Sequence, residues 1–100
     1  MGTPDVRVIS RKAIRDFDQR FPDALEPLQQ WANVTESVDW TNPADVRRTF
    51  NSADFVGDLT VFYVGGNKYR VIAFVHYRHK AVFIKDMLTH RAYDKGAWRR

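Results

Sequence analysis

One hundred residues, 44% of them hydrophobic, are enough to fill one core and not two. The absence of cysteine excludes disulfide staples, thiol nucleophiles and cysteine-ligated zinc, and it is compatible with a reducing cytoplasm without establishing one. The net charge of +4 is unevenly spread: residues 1–67 carry seven Lys/Arg against ten Asp/Glu, and residues 68–100 carry nine against two.

A basic third of this kind attracts polyanions through counterion release and long-range field. A solvated basic surface explains the same charge, and charge alone does not separate the two. No apolar run approaches the roughly 20 residues of a membrane span, and no basic-then-apolar leader opens the chain, so no membrane partner is expected. Residues 1–5 read as disordered or as an artificial extension, and residues 6–100 as a single domain.

Val6-Arg7-Val8-Ile9 is a short β-prone run, and Ser10 has the hydroxyl of an N-cap. A helix is expected from about Arg11 to Arg20, because Ala13, Ile14, Phe17 and Phe21 recur at spacings of three and four. Phe21-Pro22-Asp23 breaks it, since the residue before a proline is pushed out of the α region. A second helix is expected from about Asp23 to Val38, with Leu25, Leu28, Trp31, Ala32 and Val38 as its apolar stripe. Pro27 is tolerable there only in the first turn. Two helices with a short joint read as an antiparallel hairpin, and Trp31 and Trp40 read as core.

Asn42-Pro43 opens a third, short helix to about Thr49, with Asn42 as cap and Pro43 at the first helical position. Residues 52–58 read as a loop with a β-prone Phe55-Val56. Leu59–Val64 and residues 68–78 read as a hairpin about Gly65-Gly66-Asn67, whose residues tolerate positive φ. After a tight Arg78-His79-Lys80 connection, Val82–Leu88 gives the last strand, with Val82 and Ile84 on one face and Phe83, Lys85 and Met87 on the other. Thr89 caps a short closing helix on which His90, Tyr93 and Asp94 share one side.

The order predicts an α+β fold: an antiparallel twisted sheet, joined by the N-terminal strand, with the helix hairpin on one face and a short C-terminal helix. The 68–78 strand is expected to be central. Tyr69, Val71, Ala73, Val75 and Tyr77 form its apolar row. Lys68, Arg70, Ile72, Phe74, His76 and Arg78 form a second row, apolar in the middle, cationic at both ends and partly open.

His76, His79 and His90 lack ligand spacing and accompanying carboxylates, so neither a metal nor another cofactor is expected. No Gly-x-Ser-x-Gly elbow, dinucleotide fingerprint or phosphate loop occurs. What remains is Lys68, Arg70, His76, Arg78, Lys85, His90, Arg91 and Tyr93. Metal-free RNA cleavage needs little more: a base for the ribose 2′-OH, an acid for the leaving 5′ oxygen, and cations for the charge that builds on phosphorus. On residue types alone a plainer reading stands ahead, in which Arg70 pairs with a carboxylate while His90 and Tyr93 cap and pack a terminal helix.

Four blocks shift that balance. Ile9-Ser10-Arg11-Lys12-Ala13, Phe50-Asn51-Ser52-Ala53-Asp54, Gly65-Gly66-Asn67-Lys68-Tyr69-Arg70-Val71 and Thr89-His90-Arg91-Ala92-Tyr93-Asp94-Lys95 resemble, in order and spacing, the HigB family of type II toxin–antitoxin toxins, within the RelE/ParE-like group. The resemblance runs from Val6 to Trp98. It implies a RelE/ParE-like fold and a cytoplasmic bacterial mRNA endoribonuclease, or mRNA interferase, that cuts ribosome-bound message unless a cognate antitoxin holds it. It also implies His90 and Tyr93 as acid and base, Arg70 and Lys68 as a phosphate clamp, and roles for Asn67 and Asp94. Asn67, Arg78, Lys85 and Arg91 are the candidates for RNA contacts. The ParE branch shares the fold and poisons gyrase without cutting RNA, which gives the alternative of a non-catalytic toxin or nucleic-acid-binding module.

Overall fold

Two consecutive glycines with positive φ, Gly65 at 68° and Gly66 at 63°, reverse the chain between its two central strands. The computed structural model describes residues 7–9, 11–66 and 68–96. The expectations for residues 1–6, for Ser10 as a cap, for Asn67 and for residues 97–100 lie outside the described residues.

The strands are β1 (Arg7–Ile9), β2 (Asp54–Val56), β3 (Leu59–Val64), β4 (Tyr69–His76) and β5 (Ala81–Thr89). They form one sheet in the order β1-β5-β4-β3-β2. β2 through β5 are antiparallel, as expected of a meander, and β1 runs parallel to β5 with Val8 opposite Val82. The Asp54–Val56 segment, expected within a loop, is an edge strand on β3.

The helices are α1 (Arg11–Arg20), α2 (Leu25–Glu36), α3 (Pro43–Thr49) and α4 (His90–Asp94). α1 has the expected bounds, and Ile14 and Phe17 are buried on its apolar side. The second helix is shorter than expected. A 3₁₀ turn at Pro22–Ala24 precedes it, and Pro27 falls in its first turn. This start sets the phase of the buried stripe, which runs Ala24, Leu28, Trp31, Ala32 and Thr35. Leu25, expected in the stripe, is instead 43% exposed. Asn42 caps α3 by accepting the Asp45 N–H at 3.1 Å.

The helical layer packs on one face of the sheet against Phe62, Val64, Tyr69, Val71, Ala73, Val75, Val82, Ile84 and Met87. Trp40 stacks on Phe62 (centroids 5.9 Å apart), Trp31 lies 5.2 Å from the same ring, and both tryptophans are core residues. Lys80 has positive φ in the β4–β5 turn. Its ammonium donates to the Trp40 carbonyl at 3.0 Å and pairs with Asp39, so it ties that turn to the α2–α3 connection.

Met87 was expected beside Phe83 and Lys85, and the structure places it with Val82 and Ile84. The β4–β5 register steps from Ile72↔Asp86 to Ala73↔Ile84, so Lys85 is an extra residue on β5. A bulge of this kind reverses the in–out alternation beyond it. The second row of β4 is also less open than expected. Arg70 is 6% exposed and Ile72 1%, with Val61 directly opposite Ile72 and fully buried.

Candidate active site

The hairpin register decides what surrounds Arg70. Val64 pairs with Tyr69, so Tyr63 stands directly opposite Arg70 on the face away from the helices. The Arg70 guanidinium carbon lies 4.2 Å from the centroid of the Tyr63 ring. Tyr93 of α4 brings its ring centroid to 5.3 Å from the same carbon. Arg70 also donates to the Tyr69 carbonyl at 3.2 Å. A buried guanidinium held over two aromatic rings loses much of its freedom.

Burial pushes the Tyr63 hydroxyl above the ordinary phenol range, and Tyr93 and Asp54 push it the same way against the Arg70 charge. Tyr63 is hydrogen-bonded to Tyr93. Asp54 begins β2 opposite Val61, and Arg47 holds that stretch by donating to the Ala53 carbonyl at 3.1 Å and lying over Phe55. The aromatic-x-Ser-x-Asp block thus flanks Tyr63.

α4 is fixed by its first turn. The Thr89 hydroxyl accepts the Ala92 N–H at 3.2 Å, as expected of its cap. The His90 N–H donates to the Lys68 carbonyl at 2.9 Å, which pins the helix to the β3–β4 turn. The His90 Nδ1 lies 3.3 Å from an Asp94 carboxylate oxygen, with both side chains more than half exposed. This contact orients the imidazole against the last turn of the helix. α4 thus carries His90, Arg91, Tyr93 and Asp94 to the end of the sheet where Arg70 and Tyr63 pair, and Tyr93 reaches both of them.

Other expected residues do not join them. Lys68 was placed beside Arg70 on one strand face. β4 begins only at Tyr69, and the Lys68 ammonium sits 3.3 Å from Asp23 of the 3₁₀ turn, on the helical side. The Tyr69 hydroxyl donates to the same carboxylate. This bond, with burial second, pushes the Tyr69 hydroxyl up to about 12, and Tyr69 and then Lys68 hold Asp23 below the usual carboxylate range. Arg78 lies in the β4–β5 turn, beyond His76. His76 is itself about 20 Å along the strand from Arg70. Lys85, at the bulge, lines a groove with Ala13, Asp16, Phe17 and Arg20 of α1. Among the described residues no three of His, Asp and Glu stand together as a metal site.

Tyr63 carries no role in the sequence reading. A turn confined to Gly65-Gly66 would pair Tyr63 with Lys68; the register sets Val64 opposite Tyr69, with four residues between them, and so brings Tyr63 to Arg70.

A family model for the RelE-like toxic component of a toxin–antitoxin system, HigB_toxin, matches residues 24–96. The chain belongs to the HigB toxin family. A curated relative, the mRNA interferase toxin HigB of Escherichia coli K12, is 28% identical over 92 residues, covering 89% of this chain and 88% of its own. The mRNA interferase HigB of Escherichia coli CFT073 is 28% identical over 93 residues, 90% of each chain. That of Shigella flexneri is 28% identical over 92 residues, 89% of this chain and 88% of its own. The match includes the Phe50–Asp54 block, β3, β4 and α4, and therefore every described residue of the Arg70 cluster. A HigB-family toxin has an antitoxin as its partner. Among the described residues no helix is long and apolar enough to cross a membrane.

Proposed function

We propose that this HigB-family toxin is a metal-independent mRNA endoribonuclease that acts in the cytoplasm on ribosome-bound message and is held inactive by its cognate antitoxin. The observation that carries the reading is Arg70, buried against the Tyr63 and Tyr93 rings with His90 on the same short helix as Tyr93. The mRNA interferase names of its relatives support the substrate class.

The chemistry follows from the groups present. The ribose 2′-OH attacks the adjacent phosphorus, a 2′,3′-cyclic phosphate forms, and the 5′ oxygen leaves. One proton leaves the 2′-OH and one reaches the 5′ oxygen. His90, through Nε2, and Tyr93, through its hydroxyl, are the pair that moves them. In this reading the Arg70 fork meets the non-bridging oxygens as charge builds on them. Tyr63 holds the guanidinium in place, and Arg91, exposed on α4, meets the flanking backbone of the RNA.

Mapping message 5′ ends by primer extension after induction of the toxin tests this reading. New ends in phase with codons are expected, and they should vanish on co-expression of the antitoxin. Growth arrest with intact message would contradict it.

A further inference from the structure

Lys68 reaches away from Arg70 for a reason visible in its partner. Asp23 lies on the 3₁₀ turn and takes both the Tyr69 hydroxyl and the Lys68 ammonium. The two bonds differ in kind. Tyr69 is 5% exposed and packs against Phe17 and Phe21 at 5.6 and 6.1 Å, so its hydroxyl is a fixed donor. The Lys68–Asp23 pair is open to water, with side-chain exposures of 67% and 61%. An exposed pair of this kind is weak and screened by salt. If Lys68 leaves, Asp23 still has its tyrosine donor, so no carboxylate is stranded.

The backbone stays put during such a move. The Lys68 carbonyl is occupied by the His90 N–H at 2.9 Å, and Tyr69 is locked in the sheet opposite Thr89. Only the four-carbon stem must turn. Lys68 immediately precedes β4 and is two residues from Arg70, within about 6–7 Å along an extended chain.

We propose that Asp23 is an intramolecular competitor for Lys68: it holds the ammonium on the helical side until an RNA phosphate takes its place, and thereby weakens RNA binding in the resting toxin. The inference rests on the nuclease reading for the identity of its ligand. A carboxylate and a phosphate offer the ammonium the same chemistry, and the phosphate beside Arg70 gains from a second cation. Asp23 is thus a residue that sets affinity without touching the reacting atoms.

The test is a double-mutant cycle on binding of a short single-stranded RNA carrying 2′-O-methyl groups, which cannot be cut, measured by fluorescence anisotropy. Asp23→Asn keeps an oxygen acceptor for Tyr69 and removes the charge that holds Lys68. Binding should tighten about two- to fivefold, the range expected on releasing an exposed pair. In the Lys68→Met background the same substitution should change binding by much less. Thermal melts of all four proteins check folding, and a structural role for Asp23 would appear as weakened binding with a lowered melting temperature. No tightening in Asp23→Asn, equal tightening with and without Lys68, or binding that ignores Lys68 altogether would each overturn the proposal. Failure of the nuclease reading looks different: wild-type toxin would leave ribosome-bound message uncut while the binding cycle kept its pattern.

Discussion

The Tyr63 ring and the Arg70 guanidinium face each other at 4.2 Å across adjacent strands, and the pair is fixed by the turn at Gly65 and Gly66. The electrostatic attraction between a desolvated guanidinium and an aromatic face is worth about 2 kcal/mol, enough to hold one rotamer of a long side chain. If Arg70 is the phosphate contact proposed above, it meets its ligand without first losing much conformational freedom.

Tyr63 separates ring from hydroxyl. Tyr63→Phe keeps the face under Arg70 and loses the bond to Tyr93, so cleavage should fall modestly with little change in Tm. Tyr63→Leu removes the face as well. Cleavage should fall about tenfold or more, matching a loss of roughly 1–2 kcal/mol in the positioning of Arg70. Single-turnover cleavage of ribosome-bound message, alongside thermal melts, measures both.

The Tyr69–Asp23 bond predicts how stability depends on pH. The folded Tyr69 hydroxyl is raised to about 12, above its ordinary value of 10.0, so its contribution is full below 10.0 and is lost as pH rises toward about 12. Asp23 is shifted the other way, so its contribution is full above its ordinary value of 3.8 and is lost as pH falls through the lower folded value. The stability gap between wild type and Tyr69→Phe should be flat between these limits and shrink at both ends. Urea unfolding across pH measures it, and a gap that grows in alkali would contradict the bond.

Arg91 and Arg78 differ in reach. Arg91 is exposed on the helix that carries His90 and Tyr93, and Arg78 is exposed in a turn at the far end of β4. Arg91→Gln should weaken RNA binding and reduce its salt dependence by about one phosphate contact. Arg78→Gln should leave the binding of a short RNA unchanged. Affinity measured over a series of salt concentrations separates the two.

Much of this fold is legible in short-range pattern. The bounds of α1 follow from its Phe and Ile spacing, and those of α3 and α4 from Asn42-Pro43 and Thr89, where capping chemistry is local. Short-range pattern is silent or misleading where the cause is distant. The parallel pairing of β1 with β5 joins residues more than seventy positions apart, at Arg7 and Ala81. The bulge at Lys85 leaves no mark in the alternation and reverses the side on which Met87 lies. Leu25 looks apolar by type, but the 3₁₀ turn before it gives the buried position to Ala24. At the site, Arg70, His90 and Tyr93 are readable as residue types in a family pattern. The direction of Lys68 is not, because Asp23 is 45 positions away. Nor is Tyr63, because its place opposite Arg70 depends on a connection of four residues between Val64 and Tyr69, longer than the glycine pair alone suggests.

The chemical identity of the RNA ends tests the central claim most directly: that Arg70, His90 and Tyr93 cut message by 2′-OH attack. Ribosome-bound message is treated with toxin in the presence of a chelator that removes free transition metals and leaves the magnesium of the ribosome in place. The upstream product should end in a 2′,3′-cyclic phosphate and the downstream product should begin with a 5′-hydroxyl. Arg70→Lys should make the same ends about a hundredfold more slowly, because the bidentate fork that meets the developing charge is gone. Ends bearing a 3′-hydroxyl and a 5′-phosphate, or cleavage that continues undiminished in Arg70→Lys, would contradict it.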